Sequence, residues 1–304
     1  MKLSWEGIYP AVTTKFTETD ELDLPAFAVN IEAQIMAGVD AIVLGGSLGE
    51  ASTLDHVEKS VLLKETIRLS NGRVPVLMNI AEQQTKAAVQ LAQQYEAEGA
   101  AGLMLLPPLK YKADDREVVS YFKTIATETT LPIMIYNNPV DYKIKVTVEM
   151  FESLLTCENI QAVKESTRDL TNITRMRNAF GDRIKILCGV DTIALECLVA
   201  GADGWVAGLV NAFPRETVVI YKLVKAGRIE EALSIYRWFM PLLELDIHPK
   251  LVQNIKLAEV AVGLGTETVR APRLPLIGTE RAQVQEIITR SLASRPDLSA
   301  FDNL

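Results

Sequence analysis

Apolar residues along the first two thirds of the chain follow two alternating rhythms. Short β-branched runs occupy 7–13, 40–44, 74–78, 101–106, 132–136, 160–164, 184–188 and 203–207. Each has the length of a buried strand and lacks polar alternation. Between them lie stretches of helical period. Phe27, Ala28, Ile31 and Ile35 share one face, and Ala88, Leu91, Ala92 and Tyr95 another. Asp55-His56-Val57-Glu58 has the form of a capping box. Eight strand-helix units with continuously apolar strands predict an α/β protein, a closed (β/α)8 TIM barrel rather than an open doubly wound sheet.

The strand signal stops after Ala212. Pro214-Arg215-Glu216 opens a helix, and helical stretches at 229–240 and 251–262 follow. In the second of these, Leu251, Ile255, Ala258 and Val262 share a face. A proline-punctuated connector, Arg270-Ala271-Pro272-Arg273-Leu274-Pro275, leads to a last helix at 280–292. The expected organisation is a barrel over 1–212 and a helical extension over 213–304, packed together as one unit.

Composition narrows the function classes. A chain of 304 residues that is 48% hydrophobic can bury a large core. A net charge of −8 with no basic run argues against nucleic acid and anionic membrane as partners. There is no apolar signal core at the start and no stretch of spanning length, so a cytoplasmic location is expected. The cysteines, Cys157, Cys188 and Cys197, have no metal-ligand spacing, and the histidines are only His56 and His248. No metal and no cofactor are expected, and acid-base work falls to Tyr, Lys, Ser, Asp or Glu.

In a barrel the carboxyl ends of the strands carry the chemistry. Here they read Thr13-Thr14, Gly45-Gly46-Ser47-Leu48-Gly49-Glu50, Pro107-Pro108 with Tyr111 beyond, Tyr136-Asn137-Asn138-Pro139, Lys164, Gly189-Val190-Asp191 and Gly208-Leu209-Val210-Asn211. A lysine ending a buried strand is costly, because desolvation disfavours its charged form. The same cost makes an amine nucleophilic near neutral pH. The bland alternative is a lysine whose stem lies on apolar surface while its head reaches water. Neighbouring parallel strands lie about 4.8 Å apart, which brings Tyr136 beside Lys164. An amine, a phenol, a hydroxyl and the exposed amides of a glycine turn suit Schiff-base chemistry.

At these positions the sequence resembles the dihydrodipicolinate synthase / N-acetylneuraminate lyase family over nearly the whole chain. The carrying motifs are Gly46-Ser47-Leu48-Gly49-Glu50, Tyr136-Asn137-Asn138-Pro139, Ala162-Val163-Lys164-Glu165-Ser166 and Gly189-Val190-Asp191. The resemblance implies a Schiff-base lysine at Lys164, a proton-relay tyrosine at Tyr136 and a relay hydroxyl at Ser47. It also implies that the Ser47-Leu48 backbone binds the carboxylate of a 2-oxo acid. Gly46, Asn138, Gly189 and Val210 complete the candidate substrate contacts. Family members are commonly homotetramers in which a loop tyrosine, Tyr111 here, reaches a neighbour's site.

The sequence also departs from the pattern. The synthases of lysine biosynthesis carry an arginine two residues past the proline, where this chain has Asp141. Leu48 replaces a second hydroxyl in the glycine turn, and Asn138 adds an amide. With Leu209-Val210-Asn211-Ala212-Phe213-Pro214 and His248-Pro249-Lys250-Leu251-Val252, these features look like a catabolic branch. That branch is similar to the deaminases that open 1-pyrroline-4-hydroxy-2-carboxylate in hydroxyproline breakdown. The expected activity is a cofactor-independent lyase or hydro-lyase acting on a 2-oxo acid or cyclic imine, this compound favoured. The alternatives are an aldolase or dehydratase of 2-oxo-3-deoxy sugar acids or 4-hydroxy-2-oxo acids, dihydrodipicolinate synthase itself, or a silent barrel that binds a small carboxylate.

Several residues carry two readings. Glu50 is either a general base or the tie that holds the glycine turn, and Asp191 is by default a helix cap. His56 reads as a surface residue, and His248 as a subunit contact or pocket edge. The turn at 204–208 has glycine spacing but no nearby basic residue, which argues against phosphate.

Overall fold

The computed structural model describes residues 3–108 and 110–301. Its strands are β1 (Gly7–Pro10), β2 (Ile42–Leu44), β3 (Val76–Ile80), β4 (Gly102–Leu105), β5 (Ile133–Asn137), β6 (Ile160–Glu165), β7 (Lys185–Cys188) and β8 (Gly204–Ala207). Each lies within or within two residues of a predicted run. They pair in parallel in the order β1-β8-β7-β6-β5-β4-β3-β2. A single bridge between Ala11 and Val43 joins β1 to β2 and closes the ring. The result is a (β/α)8 barrel, and nearly every strand residue is buried because one face fills the barrel and the other meets helices.

Local chemistry starts the helices where the sequence places them. The capping box forms at His56–Ser70, where the Glu58 amide donates to Asp55 Oδ1 at 2.8 Å and the Asp55 amide to Glu58 Oε2 at 3.0 Å. The helix Pro214–Lys225 packs on β1, β8 and the helix Leu24–Ala37, which is the place of the eighth barrel helix. Beyond it come Ile229–Leu243, Leu251–Ala261 and Gly278–Ala293, the last of which packs on both of the others. Pro241 removes a backbone donor near the end of the first of these. The chain then tightens into a 3-10 turn, Glu244–Ile247, that leads to the barrel mouth.

Buried charges clasp the helix Leu251–Ala261 to the barrel. Lys15 Nζ lies 2.8 Å from Glu259 Oε2, and Thr13 Oγ1 donates to Glu259 Oε1 at 2.5 Å. Lys256 Nζ donates to Glu50 Oε1 at 2.6 Å and to the Thr268 carbonyl at 2.6 Å. The Lys15, Glu259, Lys256 and Glu50 side chains are all wholly buried.

Candidate active site

Lys164 stands one residue from the end of β6, paired in register with Tyr136 of β5. Its Nζ lies 4.1 Å from the centroid of the Tyr136 ring. Room for the lysine stem comes from Gly189 at the end of β7. A Cβ there would stand 2.6 Å from Lys164 Cγ and 2.7 Å from its Cε, so only glycine lets the side chain pass. Lys164 is 7% exposed, and burial pushes its pKa down. Tyr142, Asp246 and Asp191 oppose that shift through space, but none of the described residues gives Lys164 a hydrogen bond or ion pair. The neighbouring Glu165 anchors the strand end. It accepts from Asn172 at 2.8 Å, from Asn137 at 3.2 Å and from the Thr167 amide at 2.8 Å.

Burial pushes the Tyr136 phenol up to about 12. Asn138 Nδ2 donates to the Tyr136 hydroxyl at 3.2 Å and to Asp141 Oδ2 at 2.7 Å. Asn138 Oδ1 also caps the one-turn helix Pro139–Tyr142 by accepting from the Asp141 amide at 3.2 Å. That turn carries Tyr142 into the site, where it meets Tyr136 edge-on with centroids 5.6 Å apart. The Tyr142 hydroxyl bonds Ser47 Oγ. Within one chain, the hydroxyl partner of Ser47 is therefore Tyr142.

The glycine turn is held from behind. Asn79 Nδ2 donates to the Gly45 carbonyl at 2.9 Å, and Thr14 Oγ1 to the Gly49 carbonyl at 2.7 Å. Glu50 accepts from Lys256 and from the Arg270 amide at 3.1 Å. This removes the general-base reading of Glu50, which ties down the turn. Asp191 likewise serves another element than its own. Its carboxylate accepts from Trp205 Nε1 at 2.8 Å and from the amides of Gly208 at 3.1 Å and Leu209 at 2.8 Å. Those amides are taken, which also disposes of a phosphate site after β8.

The cavity above Lys164 measures about 110 Å³. Gly46, Ser47, Leu48, Tyr136, Asn138, Lys164 and Gly189 line it together, as the sequence places them. Two candidates do not. Val210 is wholly buried, because the 3-10 turn Leu209–Asn211 folds it into the core, and Gly208 lines the cavity instead. Tyr111 is 55% exposed on the loop after β4 and does not line the cavity of its own chain. Sequence reasoning missed Tyr142, Ser166, Arg168 and Asp246, which all line it. The asparagine-capped turn before Tyr142 was the available signal for that residue. His56 and His248 are both exposed. Among the described residues there is no cluster of ligands arranged for a metal, and no helix is long and apolar enough to cross a membrane.

Residues 4–291 match the family model described as the Dihydrodipicolinate synthetase family. The chain belongs to this family. It is therefore an enzyme, a lyase of the lysine Schiff-base class. A 4-hydroxy-tetrahydrodipicolinate synthase of Exiguobacterium sibiricum is 34% identical over 281 residues, 91% of this chain and 94% of that protein. One from Halalkalibacterium halodurans is 30% identical, covering 97% and 98% of the two chains. Among solved structures, a dihydrodipicolinate synthase from Bacillus anthracis superposes with a TM-score of 0.91 at 27% identity, covering 97% of this chain and all of that one. A prophage protein of the dihydrodipicolinic acid synthase family from E. coli K12, in complex with pyruvate, gives 0.89 at 27% identity, covering 95% and 99%.

Proposed function

We propose that this member of the dihydrodipicolinate synthetase family opens and deaminates 1-pyrroline-4-hydroxy-2-carboxylate to 2-oxoglutarate semialdehyde, with Lys164 as the nucleophile. The observation that carries the reading is the acidic far wall of the cavity. Asp141, held by Asn138, stands where the lysine-biosynthetic synthases carry an arginine for the carboxylate of their aldehyde substrate. A carboxylate there repels that group, so a condensing role is disfavoured.

The neutral Lys164 amine attacks C2 of the ring imine, and the ring nitrogen leaves C2 as an amine. Tyr136 and the Ser47–Tyr142 pair are the relay that moves the protons. The substrate carboxylate sits on the amides of Ser47 and Leu48, which donate to no protein acceptor among the described residues. Loss of the 4-hydroxyl as water leaves a C3=C4 alkene that tautomerises to a C5 imine. One water hydrolyses that imine and releases ammonia, and a second hydrolyses the C2 imine and frees the lysine. The protein acts as a homotetramer in the cytoplasm, with Tyr111 of one copy completing a neighbour's site. Its exposure and its three free cysteines support that picture.

A second reading, a synthase that condenses pyruvate with an aldehyde, is favoured by the names of the curated relatives. Borohydride reduction separates the two. Incubation with 1-pyrroline-4-hydroxy-2-carboxylate, pyruvate or a 2-oxo-3-deoxy sugar acid, then peptide mass analysis, is expected to find the five-carbon adduct on the Lys164 peptide, with ammonia released. An adduct with pyruvate alone would support the synthase reading, and no adduct at all would remove the role of Lys164.

A further inference from the structure

One ionisable group in the cavity comes from outside the barrel. The 3-10 turn Glu244–Ile247 brings Asp246 onto the wall of the cavity that holds Lys164. Its carboxyl lies against the backbone of Gly208, where a Cβ would stand 2.9 Å from Asp246 Cγ, so a glycine after β8 is what admits it. Asp246 faces two other aspartates, Asp191 and Asp141, and the hydrogen bonding of the three differs. Asp191 accepts from Trp205, Gly208 and Leu209, and Asp141 accepts from Asn138. Asp246 accepts nothing from the described residues. A carboxyl that lines a reactive cavity and has no protein donor is open to a ligand.

We propose that Asp246 is the general acid that protonates the departing hydroxyl of the substrate. The proposal rests on the Lys164 imine reading. In the enamine formed from the Schiff base, the nitrogen lone pair re-forms the C=N bond and the C2–C3 π electrons move to C3–C4. The C4–O bond breaks with its electron pair on oxygen, and that oxygen takes the Asp246 proton. Water leaves, Asp246 remains as carboxylate, and a conjugated imine remains on Lys164. Such an acid must hold its proton near neutral pH. Burial raises the Asp246 pKa well above the usual carboxylate range. The facing Asp191 and Asp141 add to that shift, Lys164 and Arg168 oppose it, and the Tyr136 phenol faces the same space.

The test uses Asp246→Asn, which keeps the shape and removes the proton, and Asp246→Glu, which restores an acid. Two readouts are taken: borohydride trapping of pyruvate on Lys164, and turnover of 1-pyrroline-4-hydroxy-2-carboxylate across pH. Asp246→Asn is expected to trap pyruvate within about twofold of wild type while turnover falls about a hundredfold. Wild-type kcat should fall as pH rises and Asp246 loses its proton. That descending limb should vanish in Asp246→Asn and return in Asp246→Glu. Turnover by Asp246→Asn within fivefold of wild type would overturn the proposal alone. Equal loss of trapping and turnover would overturn it too, since the residue would then be shaping the site. A wild-type protein that traps pyruvate but does not turn over the cyclic imine would remove the substrate reading, and the proposal with it.

Discussion

The mouth of the barrel holds buried amines in two settings. On one side Lys15 and Lys256 each meet a glutamate, at 2.8 and 2.6 Å, with no side-chain exposure on either partner. A few strands away Lys164 has a tyrosine ring at 4.1 Å and, among the described residues, no carboxylate within bonding distance. All three amines have lowered pKa values, and burial is the first cause for each, taking Lys256 to about 8. Burial is therefore shared and cannot be what separates them. The partner is. A paired ammonium neutralises a buried carboxylate and holds two segments of chain together. An unpaired one bears the desolvation cost without that return, and its neutral form is left free to attack a carbon.

The comparison breaks most visibly at the clasp. Lys256→Met removes the close ammonium partner of the buried Glu50, leaving it the Arg270 amide at 3.1 Å and the Arg273 guanidinium at 3.7 Å. Breaking such a buried pair typically costs about 3–5 kcal/mol. Urea unfolding at neutral pH is expected to show a loss of that size, and Lys256→Met with Glu50→Gln should recover much of it. Because Glu50 follows the glycine turn directly, the single variant should also raise KM for the substrate. A loss below about 1 kcal/mol would mean the ion pair is not what holds the turn.

Tyr142→Phe sharpens the other half. It leaves Ser47 Oγ without its partner and keeps the ring edge against Tyr136. Trapping on Lys164 is expected to slow by about ten- to a hundredfold with stability within about 1 kcal/mol of wild type. Rapid-quench borohydride trapping measures the first and urea unfolding the second. A wild-type rate would remove Tyr142 from the proton relay.

What was legible in the sequence follows the range of the forces involved. Lys164 and Tyr136 could be placed because continuous apolar strands set their register and adjacent strands set their spacing. Asp246 could not, since it reaches the cavity only through the path of the chain after Pro241, a matter of how distant helices pack. Val210 was misjudged because the turn after β8 tightens to a 3-10 helix, rotating the side chain into the core. The clasp left a trace that went unread. Lys256 and Glu259 are a base and an acid beside Ile255 and Ala258 on the buried part of the helix Leu251–Ala261. Charges in that position need partners from elsewhere in the fold.

The smallest expected change in stability is the one that most directly contrasts the two settings. Lys164→Met removes an amine that no described residue pairs with, so it should abolish trapping yet raise stability, by about 1 kcal/mol at neutral pH. The pH dependence fixes the cause. The folded-state pKa of Lys164 lies below the ordinary 10.5. Between those two values the unfolded chain binds more protons than the folded one, so this group's contribution to stability grows as pH rises. It is complete above 10.5 and is lost as pH falls through the folded pKa. The methionine variant lacks that slope. Its advantage should be greatest at neutral pH and shrink toward pH 10.5, as read from urea midpoints across that range. If Lys164→Met were instead destabilised like Lys256→Met, Lys164 would be one more paired structural amine, and the distinction between the two settings would be lost.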